Sequence, residues 1–195
     1  MVSMAPCSCA IFWSGDIAAT RGRARSPGAF VLSSQGRASS LLTRSKILPV
    51  FSLKSPAFDD AQEMAQKYGK EAGNVSPPLE WEDAPQGTRS FALALVDIHP
   101  IARNYVHWLV ADISPKINSL PEAVTGDRTP AFNEIKPYIG PFPPYGRHDY
   151  EFTVYALSTD RLGVSHGASL QEFTQAAQRE SLAAATLIGK FTKIR

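Results

Sequence analysis

Asp97, His107 and His148 are the side chains of this sequence whose types and placing could do chemistry. Asp97 closes the apolar run SFALALVD (90 to 97), His107 sits inside YVHWLVAD (105 to 112), and His148 ends the stretch GPFPPYGRH that opens at Gly140. Side chains alternate along a strand, so Phe91, Leu93, Leu95 and Asp97 share one face of the first run, and His107 shares a face with Leu109 in the second. If IHPIARN joins the two runs as a hairpin, an acid and a histidine stand at one end of the same apolar wall. A buried carboxylate is costly without a partner, and His107 or His148 would supply one. An imidazole oriented by a carboxylate can act as a general base or as a donor to an anion. On spacing alone the simpler reading is preferred, in which Asp97 caps a turn and His107 is a hydrogen-bonded core histidine. His99 and His166 have weaker cases, because both fall in expected loops.

Other chemistries find little support. Two histidines and a carboxylate suit non-haem iron or zinc, but no H-x-H or H-E-x-x-H spacing accompanies them, and no metal or other cofactor is expected. There is no Walker or dinucleotide-binding loop. Both cysteines, Cys7 and Cys9, lie in the first 46 residues, which leaves the remainder without a thiol nucleophile or a disulfide.

The elements that must position these residues read as strands. The runs at 90 to 97, 105 to 112 and 149 to 157 (DYEFTVYAL) are rich in β-branched and aromatic residues; VFSLKS (50 to 55) and GKFTKIR (189 to 195) are further candidates. One helix is expected over SLQEFTQAAQRESLAAATL, opened by the capping box of Ser169 and Glu172 and closed before Gly189. A second, short one could lie between Asp59 and Gly69. With strands dominating and the good helix late, a β-sandwich with peripheral helices is favoured over a βαβ parallel sheet. Two glycines and three prolines crowd into GPFPPYG, so this loop has few conformations to lose and suits holding a side chain and N–H groups around a ligand. An ordinary turn feeding an ordinary strand is the other reading.

Composition divides the chain. Residues 1 to 46 hold six basic residues and one acid, leaving 14 basic and 17 acidic residues for 47 to 195, a net charge of −3 against +2 for the whole. The Arg- and Ser-rich leader has the composition of a transit peptide, of a disordered extension or of an artefact of an upstream start codon. The rest is expected to be one domain of normal hydrophobic content. It carries no clustered Lys and Arg for a nucleic acid, and no apolar run approaches the roughly 18 residues of a membrane span. A cytoplasmic location is expected, or a plastid or mitochondrion if the leader is a transit peptide.

The ordered series NVSPPLEW (74 to 81), LVDIHP, YVHW (105 to 108) and GPFPPYGRHDY (140 to 150) resembles the signature of the phosphatidylethanolamine-binding protein family, also called Raf kinase inhibitor-like proteins, most closely in its bacterial-type branch. The resemblance spans 47 to 195. It implies a β-sandwich of a large antiparallel sheet and a smaller one, with a small pocket for anions, phosphate-bearing head groups or phosphorylated side chains. Position by position it makes Asp97 the pocket aspartate, His107 and His148 the pocket histidines and Tyr150 the pocket tyrosine, with Pro143, Pro144 and Gly146 in the stiff loop beside them. The family commonly reads Asp-Pro-Asp where this chain has Asp97-Ile98-His99, and Arg where it has Asp149. Imidazole, phenol and loop N–H groups can all donate to phosphate oxygens, while Asp97 would orient a histidine or accept from a head-group amine.

The expectation is therefore a binding protein and not an enzyme, with a small anionic or phosphate-bearing ligand and a phosphoprotein or kinase as a potential partner. Two alternatives stand beside it. One is a hydrolase or other enzyme using the same Asp and His residues; the other is an interaction module with a vestigial pocket.

Overall fold

Three of the four long strands lie side by side in the middle of the fold: β4 (Ser90–Asp97), β5 (Tyr105–Ile113) and β8 (Arg147–Leu157). They fall where the apolar runs predict them, although β8 begins at Arg147 and not at Asp149. A computed structural model describes residues 49–124 and 132–193; the leader 1–46 and its expected boundary with the domain lie outside the described residues. Preceding or separating the long strands are β1 (Ser52–Lys54), β2 (Gln62–Glu63), β3 (Leu79–Glu82), β6 (Ser119–Leu120) and β7 (Asn133–Lys136). After β8 come one helix, α1 (Leu170–Glu180), and β9 (Ser181–Thr192).

The strands form two sheets. The larger runs β2-β9-β8-β4-β5-β7, and the smaller runs β1-β3-β6. All pairings are antiparallel except β2 with β9. This is the expected mostly-β sandwich of a large and a small sheet.

All eight residues of β4 are buried, because the strand is covered on both faces. Phe91, Leu93 and Leu95 point to the small sheet and pack with Trp81, Trp108 and Phe152. Ala92 and Ala94 point the other way, beneath Phe173 and Ala177 of α1. Large side chains thus fill the gap between sheets, and small ones let the helix approach.

Two expectations about helices need correction. The predicted helix ends at Glu180, and the text from Ser181 onward is strand β9, which pairs with β8 from Arg147↔Thr192 to Leu157↔Ser181. Ala-rich LAAATL has good helix propensity. In the ladder with β8, however, Ala183, Ala185 and Leu187 turn to the core, and that pairing outweighs local preference. The N-terminal half is as the capping box predicts: Glu172 N–H donates to Ser169 Oγ at 3.2 Å, and Ser169 N–H to Glu172 Oε2 at 2.8 Å. Between Asp59 and Gly69 there is strand β2 and a single 3-10 turn, Gln66–Tyr68, in place of a helix.

Gly140 opens the proline-rich loop where the chain crosses another segment. A Cβ there would lie 2.2 Å from the Tyr68 carbonyl oxygen and 2.6 Å from the Lys70 nitrogen, both backbone atoms that cannot swing aside. Gly146, near the loop's end, instead has φ +69° and open space around it. Gly140→Ala should therefore destabilise the fold by about 2 kcal/mol or more through overpacking. Gly146→Ala should cost only about 1 kcal/mol for the left-handed backbone. Urea denaturation of the two variants checks the order.

Candidate functional site

The register of β4 against β8 sets the site. Asp97 lies directly opposite Tyr150, and His148 stands two residues further along the same face of β8. Asp97 and His148 therefore meet across the end of the ladder, where His148 Nδ1–H donates to Asp97 Oδ2 at 2.7 Å. The other carboxylate oxygen, Oδ1, accepts from the His99 N–H at 2.9 Å. Both oxygens have partners, so a deeply buried carboxylate (4% exposed) is accommodated without a free amine or metal.

His107 arrives by a different route. Pairing steps from Leu95↔Trp108 to Val96↔Val106, so His107 is the extra residue of a β-bulge. The bulge corrects the alternation argument: Leu109 turns toward the helix-side core, whereas His107 stands with Tyr105 and Tyr150 on the face of Asp97. Asp97 does not orient His107. The Ile139 carbonyl does, accepting from Nδ1–H at 2.6 Å, and Ile139 N–H returns a bond to the His107 carbonyl at 2.8 Å. Burial, more than anything else, pushes the His107 ring below its usual pKa, with the Ile139 hydrogen bond opposing.

The proline-rich loop is pinned at its start. Gly140 N–H donates to Asn74 Oδ1 at 2.7 Å, and Lys70 N–H donates to the Pro141 carbonyl at 3.0 Å. Asn74, from the NVSPPLEW stretch, is thus a support of the loop although it is remote in sequence.

These elements enclose a cavity of about 240 Å³ lined by Asp97, Ile101, Ala102, Tyr105, His107, Phe142, Pro144, His148 and Tyr150. Of the residues expected at a site, Asp97, His107, Pro144, His148 and Tyr150 are brought together here. Pro143 is buried away from the cavity and Gly146 is exposed outside it. Four lining residues were not anticipated. Tyr105 is opposite Asp97 in the hairpin register, a position that counting back from the connection could have identified. Phe142 stands within the quoted loop, packed edge-on to Tyr105 with ring centres 5.5 Å apart. Ile101 and Ala102 belong to the 3-10 turn Pro100–Ala102, which local spacing does not aim at the cavity.

His99, set aside as a loop residue, stacks on His148 with centroids 4.0 Å apart and planes 9° from parallel. The β4–β8 register simply continues past Asp97 and puts the two rings opposite each other. His166 is exposed and lies elsewhere.

Two polar atoms of this cavity stand out. Among the described residues, His148 Nε2, the Tyr150 hydroxyl and Trp81 Nε1 are the buried side-chain polar atoms without a hydrogen-bond partner; the first two belong to cavity-lining residues. Burial first, then the nearby Asp97 charge, holds the Tyr150 phenol far above its usual pKa, so it stays protonated and able to donate. No lining residue is Lys or Arg, and none is Ser, Thr or Cys. Among the described residues no cluster of three or more His, Cys, Asp or Glu is disposed to hold a metal ion.

Comparison with known proteins identifies relatives of this sequence and fold. The family model for phosphatidylethanolamine-binding proteins matches residues 54–192. A UPF0098 protein of Aquifex aeolicus is 33% identical over 158 residues, covering 75% of this chain and 90% of that protein. Another, from Methanothermobacter thermautotrophicus, is 34% identical over 149 residues, covering 72% and 98%. Among solved structures, Escherichia coli YbcL, described as a member of the mammalian PEBP family, superimposes with a TM-score of 0.68 at 25% identity, covering 74% of this chain and 99% of that one.

Two stability predictions follow from the buried contacts. Asp97→Ala strands His148 Nδ1–H and the His99 N–H and should cost about 3 kcal/mol, whereas Asp97→Asn, which keeps one acceptor, should cost less; chemical denaturation measures both. Because folded His107 resists protonation, the unfolded chain takes up more protons once pH falls below about 6.5. Stability should decline from there toward the depressed folded pKa and then level off. His107→Gln should remove that part of the pH slope in thermal melts.

Proposed function

Because the chain belongs to the phosphatidylethanolamine-binding protein family, in its bacterial-type branch, we propose that its cavity binds a small anionic or phosphate-bearing ligand and does not turn it over. The supporting observation is the pair of unpartnered buried atoms, His148 Nε2 and the Tyr150 hydroxyl, on one cavity wall. Each buried polar group without a partner costs about 1–3 kcal/mol, a cost that a ligand oxygen accepting from both would relieve.

Asp97 occupies the Nδ1 side of His148 and leaves Nε2 without a protein partner. An Nε2–H would donate to an anion there while Nδ1–H stays on the carboxylate. Tyr150 adds a neutral donor. His107, held by Ile139, supplies a polarisable wall that can gain a proton when an anion approaches. A phosphorylated side chain presented by a protein would meet the same groups as a free phosphate ester, which is how such a site could serve regulation of a phosphoprotein or kinase.

Asp97 and His148 also have the geometry of a general base with its orienting acid. What argues for binding over hydrolysis is the lining: it offers no Ser, Thr or Cys nucleophile, and a water would have to serve.

The test is a histidine-resolved NMR titration of the full chain near pH 6.5 with inorganic phosphate and phosphoethanolamine. Saturable shifts of His107 and His148, with His166 unmoved, are expected. No selective shift at millimolar ligand would end the proposal, and steady release of inorganic phosphate from the ester would replace it with the enzyme reading. Tyr150→Phe should leave the free protein as stable or more stable, having removed an unpaired hydroxyl. The same change should weaken phosphate binding about tenfold or more, the worth of a hydrogen bond to a charged group.

A further inference from the structure

The cavity that Asp97, His107 and His148 share has no lysine or arginine in its lining, yet two lysines rest on the rings that form its outer wall. Lys136 Nζ lies 5.0 Å from the centroid of Tyr105, and Lys70 Nζ lies 4.5 Å from the centroid of Phe142. Tyr105 and Phe142 are themselves in edge-to-face contact. The two ammonium groups therefore flank one aromatic pair at the cavity wall.

Both lysines are anchored there by their backbones. Lys136 ends β7, paired with Leu109 of β5, and the Lys70 N–H is tied to the Pro141 carbonyl. Neither makes an ion pair with a described residue, whereas Lys54, Lys67 and Lys193 each hold a glutamate. Lys136 is near enough for its charge to oppose protonation of His107. A cation resting on an exposed ring is weakly held, and the four-carbon stem of lysine lets its head move toward a stronger partner.

Resting on the phosphate reading above, we propose that Lys70 and Lys136 are the cationic arms of the site and make it select phosphate monoesters over phosphodiesters. A monoester carries close to two negative charges at neutral pH, and a diester carries one. The buried groups can face one oxygen edge of a phosphate through the Tyr150 hydroxyl and His148. The remaining charge of a monoester then faces outward, where the two ammonium groups can reach it, whereas a diester turns an ester substituent in that direction.

The experiment measures affinities of the full chain for phosphoethanolamine and for glycerophosphoethanolamine by calorimetry at several salt concentrations. The wild type should prefer the monoester. Lys70→Gln and Lys136→Gln should each lower monoester affinity about two- to fivefold, flatten its salt dependence and leave the diester nearly unchanged. Lys116→Gln, an equal charge change beyond the opposite end of β5, should alter neither. If the wild type binds the monoester and the lysine variants bind it equally well, or if the diester binds as tightly, the proposal is overturned while the phosphate reading survives. If the wild type binds neither ester, both fall. A phosphoserine peptide that binds more tightly than phosphoethanolamine supports the proposal with a protein as the source of the monoester; the reverse order supports it with a small ester.

Discussion

The buried hydrogen bond between His148 Nδ1–H and Asp97 Oδ2 is the contact on which the site depends. It joins the last residue of β4 to the start of β8, and it exists only because the two strands hold one register without interruption from Ser90↔Leu157 to Asp97↔Tyr150. A slip of one residue would turn either side chain to the helix side of the sheet. The apolar ladder behind it, Leu93 with Val154 and Leu95 with Phe152, is therefore what aims the polar pair. In return, the pair makes a buried charge tolerable at the end of an otherwise apolar strand, since both carboxylate oxygens are satisfied.

Beyond this pair, irregularity does the rest of the positioning. The bulge at His107 places a ring on the cavity face that regular alternation would have sent to the helix side. The loop from Gly140 is held by Asn74 and the segment around Lys70 and not by its own prolines alone. Its close crossing with Tyr68 admits no side chain at Gly140. Phe142 and Tyr105 then close the wall by edge-to-face contact. A rigid sheet end, one bulge and one pinned loop together give a small cavity whose buried donors are preorganised, so that little ordering remains for a ligand to impose.

The charge distribution fits the same division of labour. Inside are one carboxylate with full hydrogen bonding and two imidazoles; outside, on the rings, are the ammonium groups of Lys70 and Lys136. Histidines suit the interior because they can be buried neutral and still accept a proton, whereas a lysine there would carry a heavy desolvation cost.

Much of this was legible in the sequence. Apolar runs with β-branched and aromatic content marked β4, β5 and β8, the capping box marked the start of α1, and the ordered motifs pointed to the family and to Asp97, His107, Pro144, His148 and Tyr150 at one place. These signals are local: they depend on side-chain alternation, on a hydrogen bond between residues three apart, or on short motifs. What tertiary structure alone decided is non-local. LAAATL became strand because β8 needed a partner along its length, not because of any preference of its own. His107 changed faces because a bulge, invisible to a period-2 reading, inserted one residue between Val106 and Trp108. His99 joined the site because the β4–β8 register continues past the strand's end, and Lys70 and Lys136 reached the cavity wall from segments far away in sequence. Spacing along a chain determines which residues share a face of one element; pairing and packing between elements determine which of those faces meet.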